Sequence, residues 1–331
     1  MKDKSIRALV LLCILLSCAA CEPRLQPVLP VRMLCPVGRG PGDLSIVDEV
    51  TKGISLAWMQ TSITVEFAVP ESPDDARRLL ESWALMPKER RAALVIALGH
   101  EHEALVDSLQ CQFGYNQILF LDGSPSSCPG LMTAEIRTFG SSFLAGVAAM
   151  EASERKTAAA IGGMSTAHVD ESIEGFVAGV EYAGGRITAR EYLAQDSTGF
   201  ASEPLAFQRA AELFEEADVI ISVAGASSLG VIEAALGFAE EDRRYVIGLD
   251  ADQSVHGVRV VIGSVTTNMK RLTTDTILAA SKKEMGSGAL TLDLENGGSD
   301  FLINMLFESQ LRAVVEEARS AAQAAEQART P

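Results

Sequence analysis

Hydrophobic positions fall in short apolar runs, separated by longer stretches in which apolar residues recur every three or four positions. Buried parallel strands read as near-continuous apolar runs, whereas amphipathic helices show the 3.6-residue period. Strands are therefore predicted over 31–37, 64–69, 92–98 and 117–122, with helices over 44–59, 74–85 and 101–110 between them. Asp43 or Ser45 is placed to cap the first helix. A second series opens near Thr138, with helices over 141–150, 171–183, 203–216 and 229–236 and strands over 157–162, 186–193 and 219–223. Another strand starts at Tyr245, and beyond it come a strand over 258–262, a helix over 273–282 and a strand over 289–292. An Ala/Glu-rich helix from Phe307 closes the chain, docked at its start and frayed at its end. About ten strands exceed one ordinary open sheet, so two α/β lobes with parallel sheets are expected.

In such sheets ligands sit beyond the carboxyl ends of the strands. Residues 245–253 read YVIGLDADQ: an apolar run, a break at Gly248, then Asp250 and Asp252. A carboxylate there can accept two hydrogen bonds from a vicinal diol, the alternative being a solvated acidic turn. Gly99, Gly163, Gly225 and Gly248 are expected at strand ends facing one cleft, while Gly175 and Gly179 mark a face for close helix packing. The run GRGPG at 38–42 has the glycine content of a phosphate loop, but it carries a central proline and no following Lys-Ser/Thr. His100 and His102, two apart on a helix, point away from each other, so no metal site is read there. No nucleophile elbow or Walker loop is present, so neither an enzyme nor a cofactor is expected. A nucleoside hydrolase would need a metal-binding aspartate cluster that Asp250 and Asp252 alone do not supply.

The 28 basic and 44 acidic residues give a net charge of −16, which argues against a nucleic-acid partner. The N-terminus differs from the rest: Lys2, Lys4 and Arg7 precede an apolar stretch from Ala8 to Leu16 of signal-peptide length. It runs into Ser17-Cys18-Ala19-Ala20-Cys21, which resembles a bacterial lipobox with Cys18 as the lipidated residue and Cys21 the alternative. An exported chain permits disulfides, and Cys111 with Cys128 can close a local loop while Cys35 stays a buried thiol.

Several stretches taken together resemble the basic membrane protein family of substrate-binding lipoproteins for ABC transporters, which includes purine nucleoside-binding lipoproteins. They are SSFLAGVAAM, IGGM followed by GFVAGVEYA, ADVIISVAGASSLGVIEAA, YVIGLDADQ and the segment 262–272. The resemblance implies the type I periplasmic-binding-protein fold: two Rossmann-like lobes, a three-crossing hinge and a ligand trapped between them. It divides the chain into a signal peptide (1–17), a tether (18–30) and a C-terminal tail (319–331) around an N-terminal lobe (31–136 and 256–284) and a C-terminal lobe (137–255 and 285–318). It assigns ligand contacts to Asp43, Ser45, Gly99, His100, Glu103, Gly225, Asp250 and Lys270, with Asp250 holding the ribose hydroxyls. Two family phenylalanines correspond to Ile46 and Ile173, which removes stacking faces worth about 1–3 kcal/mol each by analogy with nucleic-acid platforms. Phe200 is the candidate replacement. The expected partners are a nucleoside or similar polar ligand, an ABC permease and ATPase, and a membrane reached through the lipid anchor. A ligand-sensing or adhesion lipoprotein with a degenerate site is the alternative.

Overall fold

The computed structural model describes residues 28–42, 45–113, 117–123 and 131–329. The signal peptide, both lipobox cysteines, Asp43 and the Cys111–Cys128 pairing lie outside the residues and side chains described.

Two six-stranded sheets organise the chain. The first contains β1 (Leu29–Leu34), β2 (Ile63–Ala68), β3 (Leu94–Leu98), β4 (Ile118–Leu121), β5 (Leu131–Ile136) and β11 (Gly288–Leu292), in the order β11-β5-β4-β3-β1-β2. The second contains β6 (Thr157–Gly162), β7 (Arg186–Tyr192), β8 (Val219–Val223), β9 (Tyr245–Asp250), β10 (Val261–Thr267) and β12 (Ser299–Ile303), in the order β12-β10-β9-β8-β6-β7. The two orders match strand for strand, and every pairing is parallel except that of β10 with β12. The central strands β3 and β8 (LVIAL and VIISV) are buried along their whole length, as strands covered on both faces must be.

Helices cover both faces of each sheet. On the first, α1 (Ile46–Gln60) and α8 (Met269–Lys282) share one core, while α2 (Pro73–Ala84) and α3 (Glu103–Phe113) cover the other face. On the second, α4 (Phe139–Ala152), α5 (Ala167–Tyr182) and α9 (Glu308–Gln327) form one layer, and α6 (Glu203–Leu213) with α7 (Ser228–Leu236) the opposite one. Gly175 and Gly179 let α5 approach α4, because a Cβ at either would come within 2.3 Å and 2.0 Å of the carbonyl oxygens of Phe139 and Phe143. The chain passes between sheets three times: after β5, after β10 and after β11.

The late part of the chain departs from the expected division. The strand expected over 258–262 runs from Val261 to Thr267 and joins the second sheet, whereas β11 joins the first. Only α8 of the 256–284 segment packs on the N-terminal lobe. Two strands, β5 and β12, fall where the apolar pattern predicts none. The terminal helix is not a frayed tail: Ala318, Ala322 and Glu326 are buried, and α9 extends to Gln327. Glu326 accepts hydrogen bonds from the backbone N–H groups of Gly140 (2.9 Å) and Leu294 (3.0 Å), beside two of the crossings. Trp83 is core, with the Arg32 guanidinium 5.6 Å from its ring, but Trp58 is 66 % exposed.

Candidate binding cleft

The carboxyl ends of both sheets face a shared cleft of about 320 Å³. The first lobe contributes Val37, Arg39, Ser45, Ile46, His100, Glu101 and Asp122; the second contributes Thr166, His168, Phe200, Ser222, Gly225, Asp250 and Gln253. This is the crevice that doubly wound sheets offer to ligands.

Asp250 ends β9 with φ +69°, and Asp122 follows β4 with φ +64°. Since β4 and β9 hold the same place in their sheets, the lobes present matching carboxylates from matching strand ends. Aspartate tolerates this left-handed backbone better than most residues, and such conformations cluster where function demands them. His168, in the first turn of α5, lies between the lobes. Its Nε2 is 3.7 Å from Asp250 Oδ1, an ion-pair distance too long for a hydrogen bond. Burial disfavours the imidazolium, but Asp250 and the charges of Asp122 and Glu171 outweigh it and lift the His168 pKa to about 9. Burial pushes the Asp122 carboxyl up, and the charge at His168 pulls it part of the way back.

A second group spans the two lobes. The Arg39 guanidinium lies 5.0 Å from the centre of the Phe200 ring across the lobes, and 3.9 Å from Glu101 Oε1. Glu101 also accepts from the Val37 N–H at 3.1 Å. Phe200 reaches the cleft because Gly163 leaves room for it: a Cβ there would sit 2.5 Å from the ring.

Of the expected ligand contacts, Ser45, His100, Gly225 and Asp250 line this cleft. Ser45 also caps α1 by accepting from the Val47 N–H, as its position suggested. Glu103 lines an adjoining cavity of about 520 Å³ that shares His100, Asp122 and His168 with the first. Gly99 lies just behind His100, outside the lining. Lys270 is not brought to the cleft: it sits in the first turn of α8, exposed, its carbonyl accepting from Thr274. Gly248 lies inside β9 against Gln253 rather than at a strand end, and Asp252 is exposed and accepts from the Ser254 N–H. Ile46 lines the cleft, whereas Ile173 is core. His102 is buried, its Nε2 2.9 Å from the Cys35 carbonyl, which separates it from His100. Arg39, Glu101, Asp122 and His168 carry no recognisable motif. Their one signal is position, because each falls within a few residues of a predicted strand end or helix start.

Residues 40–326 match the family described as Bmp, ABC transporter substrate-binding protein PnrA-like. The chain belongs to the Bmp family. A curated relative is Basic membrane protein D of Borreliella burgdorferi (strain JD1), 28% identical over 181 residues, which are 53% of this chain and 50% of that protein. The match thus spans half the length of that relative. Among solved structures, this Bmp chain resembles an ABC transporter system solute-binding protein from Aeropyrum pernix K1, with a TM-score of 0.73, 18% identity and 90% of each chain covered. It also resembles a transcriptional activator of the comK gene from Bacillus halodurans, with a TM-score of 0.70, 15% identity and 88% and 96% of the two chains covered. At those identities the likeness establishes the fold alone, which is that of a type I periplasmic binding protein.

Proposed function

We propose that this Bmp protein is an extracytoplasmic receptor that captures a nucleoside between its lobes and delivers it to an ABC permease and its ATPase. The supporting observation is the pairing, in one cleft between the lobes, of the Asp250 carboxylate at a strand end with the Phe200 ring. One suits the hydroxyls of a ribose, and the other gives a base an aromatic ring to pack against beside the Arg39 guanidinium. Closure of two lobes removes water and strengthens the polar contacts inside. No helix among the described residues is long and apolar enough to cross a membrane. In this reading attachment is through a lipidated Cys18 or Cys21. Mass spectrometry of lipopeptides from the processed protein tests the anchor, and an unmodified N-terminus beyond Cys21 refutes it.

Ligand identity is tested by denaturing the anchor-less protein and analysing what is released, followed by calorimetry with a panel of nucleosides. Recovery of a nucleoside supports the reading. Equal affinity for ribosides and 2′,3′-dideoxyribosides removes the role given to Asp250. The outward placement of Lys270 and the isoleucine at 46 favour the second reading, a sensor or adhesion lipoprotein whose site has drifted. That reading moves ahead if no nucleoside binds.

A further inference from the structure

His168 occupies a position that the nucleoside reading does not use. It faces Asp250, 3.7 Å away on its own lobe, and interacts electrostatically with Asp122 from the opposite lobe. Asp250 Oδ1 and His168 Nδ1 are both buried and make no hydrogen bond. The couple is therefore held by charge rather than by a directed donor and acceptor. Around it stand Glu171 on the same helix and, facing Asp122 from the first lobe, His100 and Arg39. Arg39 is already engaged by Glu101 and by the Phe200 ring. Without a positive group at 168, closure would bring two strand-end carboxylates together in a cavity with little water to screen them, a configuration that attracts any small cation.

We propose that His168 is a specificity-determining residue of the cleft, a built-in counter-cation between Asp122 and Asp250 that admits uncharged, hydroxyl-bearing ligands and excludes amines. The inference rests on the reading of this cleft as the ligand site, but not on the ligand being a nucleoside. In its charged form the imidazolium takes the place that an ammonium group would otherwise fill. Its raised pKa keeps it charged at neutral pH. Hydroxyl ligands approach the remaining acceptor capacity of the carboxylates without displacing it.

The test uses the anchor-less protein and two variants, His168→Gln, which removes the charge, and His168→Lys, which keeps it. Thermal melts confirm that each is folded. Calorimetry with putrescine is expected to show no binding to the wild type, a gain of at least about tenfold in affinity in His168→Gln, and renewed exclusion in His168→Lys. Imidazole NMR signals of the four histidines are followed through the histidine and lysine titration range. The His168 signal is expected to titrate near pH 9 and to fall towards the ordinary histidine value in Asp250→Asn. Putrescine binding to the wild type, no gain in His168→Gln, or an ordinary titration at His168 each overturns the proposal. Failure of every riboside to bind would sink the nucleoside reading while leaving the amine and NMR results to decide this one.

Discussion

Asp250 and Asp252 stand two residues apart and do different work. Asp250 enters the cleft from a left-handed strand end, whereas Asp252 is exposed and ties down its own loop. Asp250→Ala is expected to weaken ligand binding by about 2–4 kcal/mol, because a charged acceptor is lost and a ligand hydroxyl is left unpaired. Asp252→Ala should change affinity by less than about 0.5 kcal/mol. Calorimetry on both variants checks the pair, with circular dichroism confirming that they fold. His168 predicts a pH dependence. Its pKa rises from 6.5 to about 9, so the folded protein holds the proton more tightly than the unfolded chain. The resulting stability is fully present below about pH 6.5 and is lost as pH rises through 9. Thermal melts across that window should fall more steeply for wild type than for His168→Gln. Residues of this kind were hard to read from the sequence. Asp250 announced itself because an apolar run ends in an acidic pair, but Asp122 and His168 acquire their meaning only when two distant strand ends meet across the lobes.

At the scale of elements, Glu326 joins the end of α9 to the start of α4 and to the segment after β11. Burial pushes its carboxyl up, while the two N–H donors oppose the shift. Glu326→Ala is expected to destabilise the protein by about 3 kcal/mol, since two buried N–H groups lose a charged acceptor. Urea titration measures this, and a loss below about 0.5 kcal/mol would show that the contact contributes little. The long apolar runs that became β3, β6, β8 and β9 were legible, because burial on both faces leaves a nearly unbroken hydrophobic signature. The start of β10 is obscured for the opposite reason. Its apolar residues begin in the preceding turn, and the strand itself continues through buried Ser264 and Thr267. In α9, alanines that look like a weak helical tail are small side chains packed against the second sheet's helical layer.

Over the whole molecule, the only cross-lobe ring contact with a cation among the described residues of the cleft is that of Arg39 with Phe200. Ligand binding is expected to contract the radius of gyration in solution scattering, as hinge closure requires. Arg39→Ala should raise the ligand off-rate and lower the melting temperature by no more than a few degrees, because a half-buried cation–π contact contributes about 0.5–2 kcal/mol. An unchanged off-rate by stopped flow would remove Arg39 from the closing surface. The two-lobed plan was legible from the number and spacing of strands, whereas the assignment of late strands to lobes was not. Local patterns carry no record of which sheet a strand will join once the chain has crossed back and forth.

That crossing has a consequence for how the protein is made. The first sheet takes its edge strand from residues 288–292, and α1 shares its core with a helix that begins at Met269. While the ribosome is still short of those residues, Val47, Val50 and Ile54 have no helical cover from α8. The second sheet likewise waits for Ser299–Ile303 and for the terminal helix. Neither lobe can complete its packing until nearly the whole polypeptide has emerged, since each takes a strand and a helix from residues beyond 268. A nascent chain of this design lacks part of both cores until late in its synthesis. Translocation machinery that threads only unfolded polypeptide would meet a substrate kept pliable by its own topology, and stable structure would form after the last segment had passed.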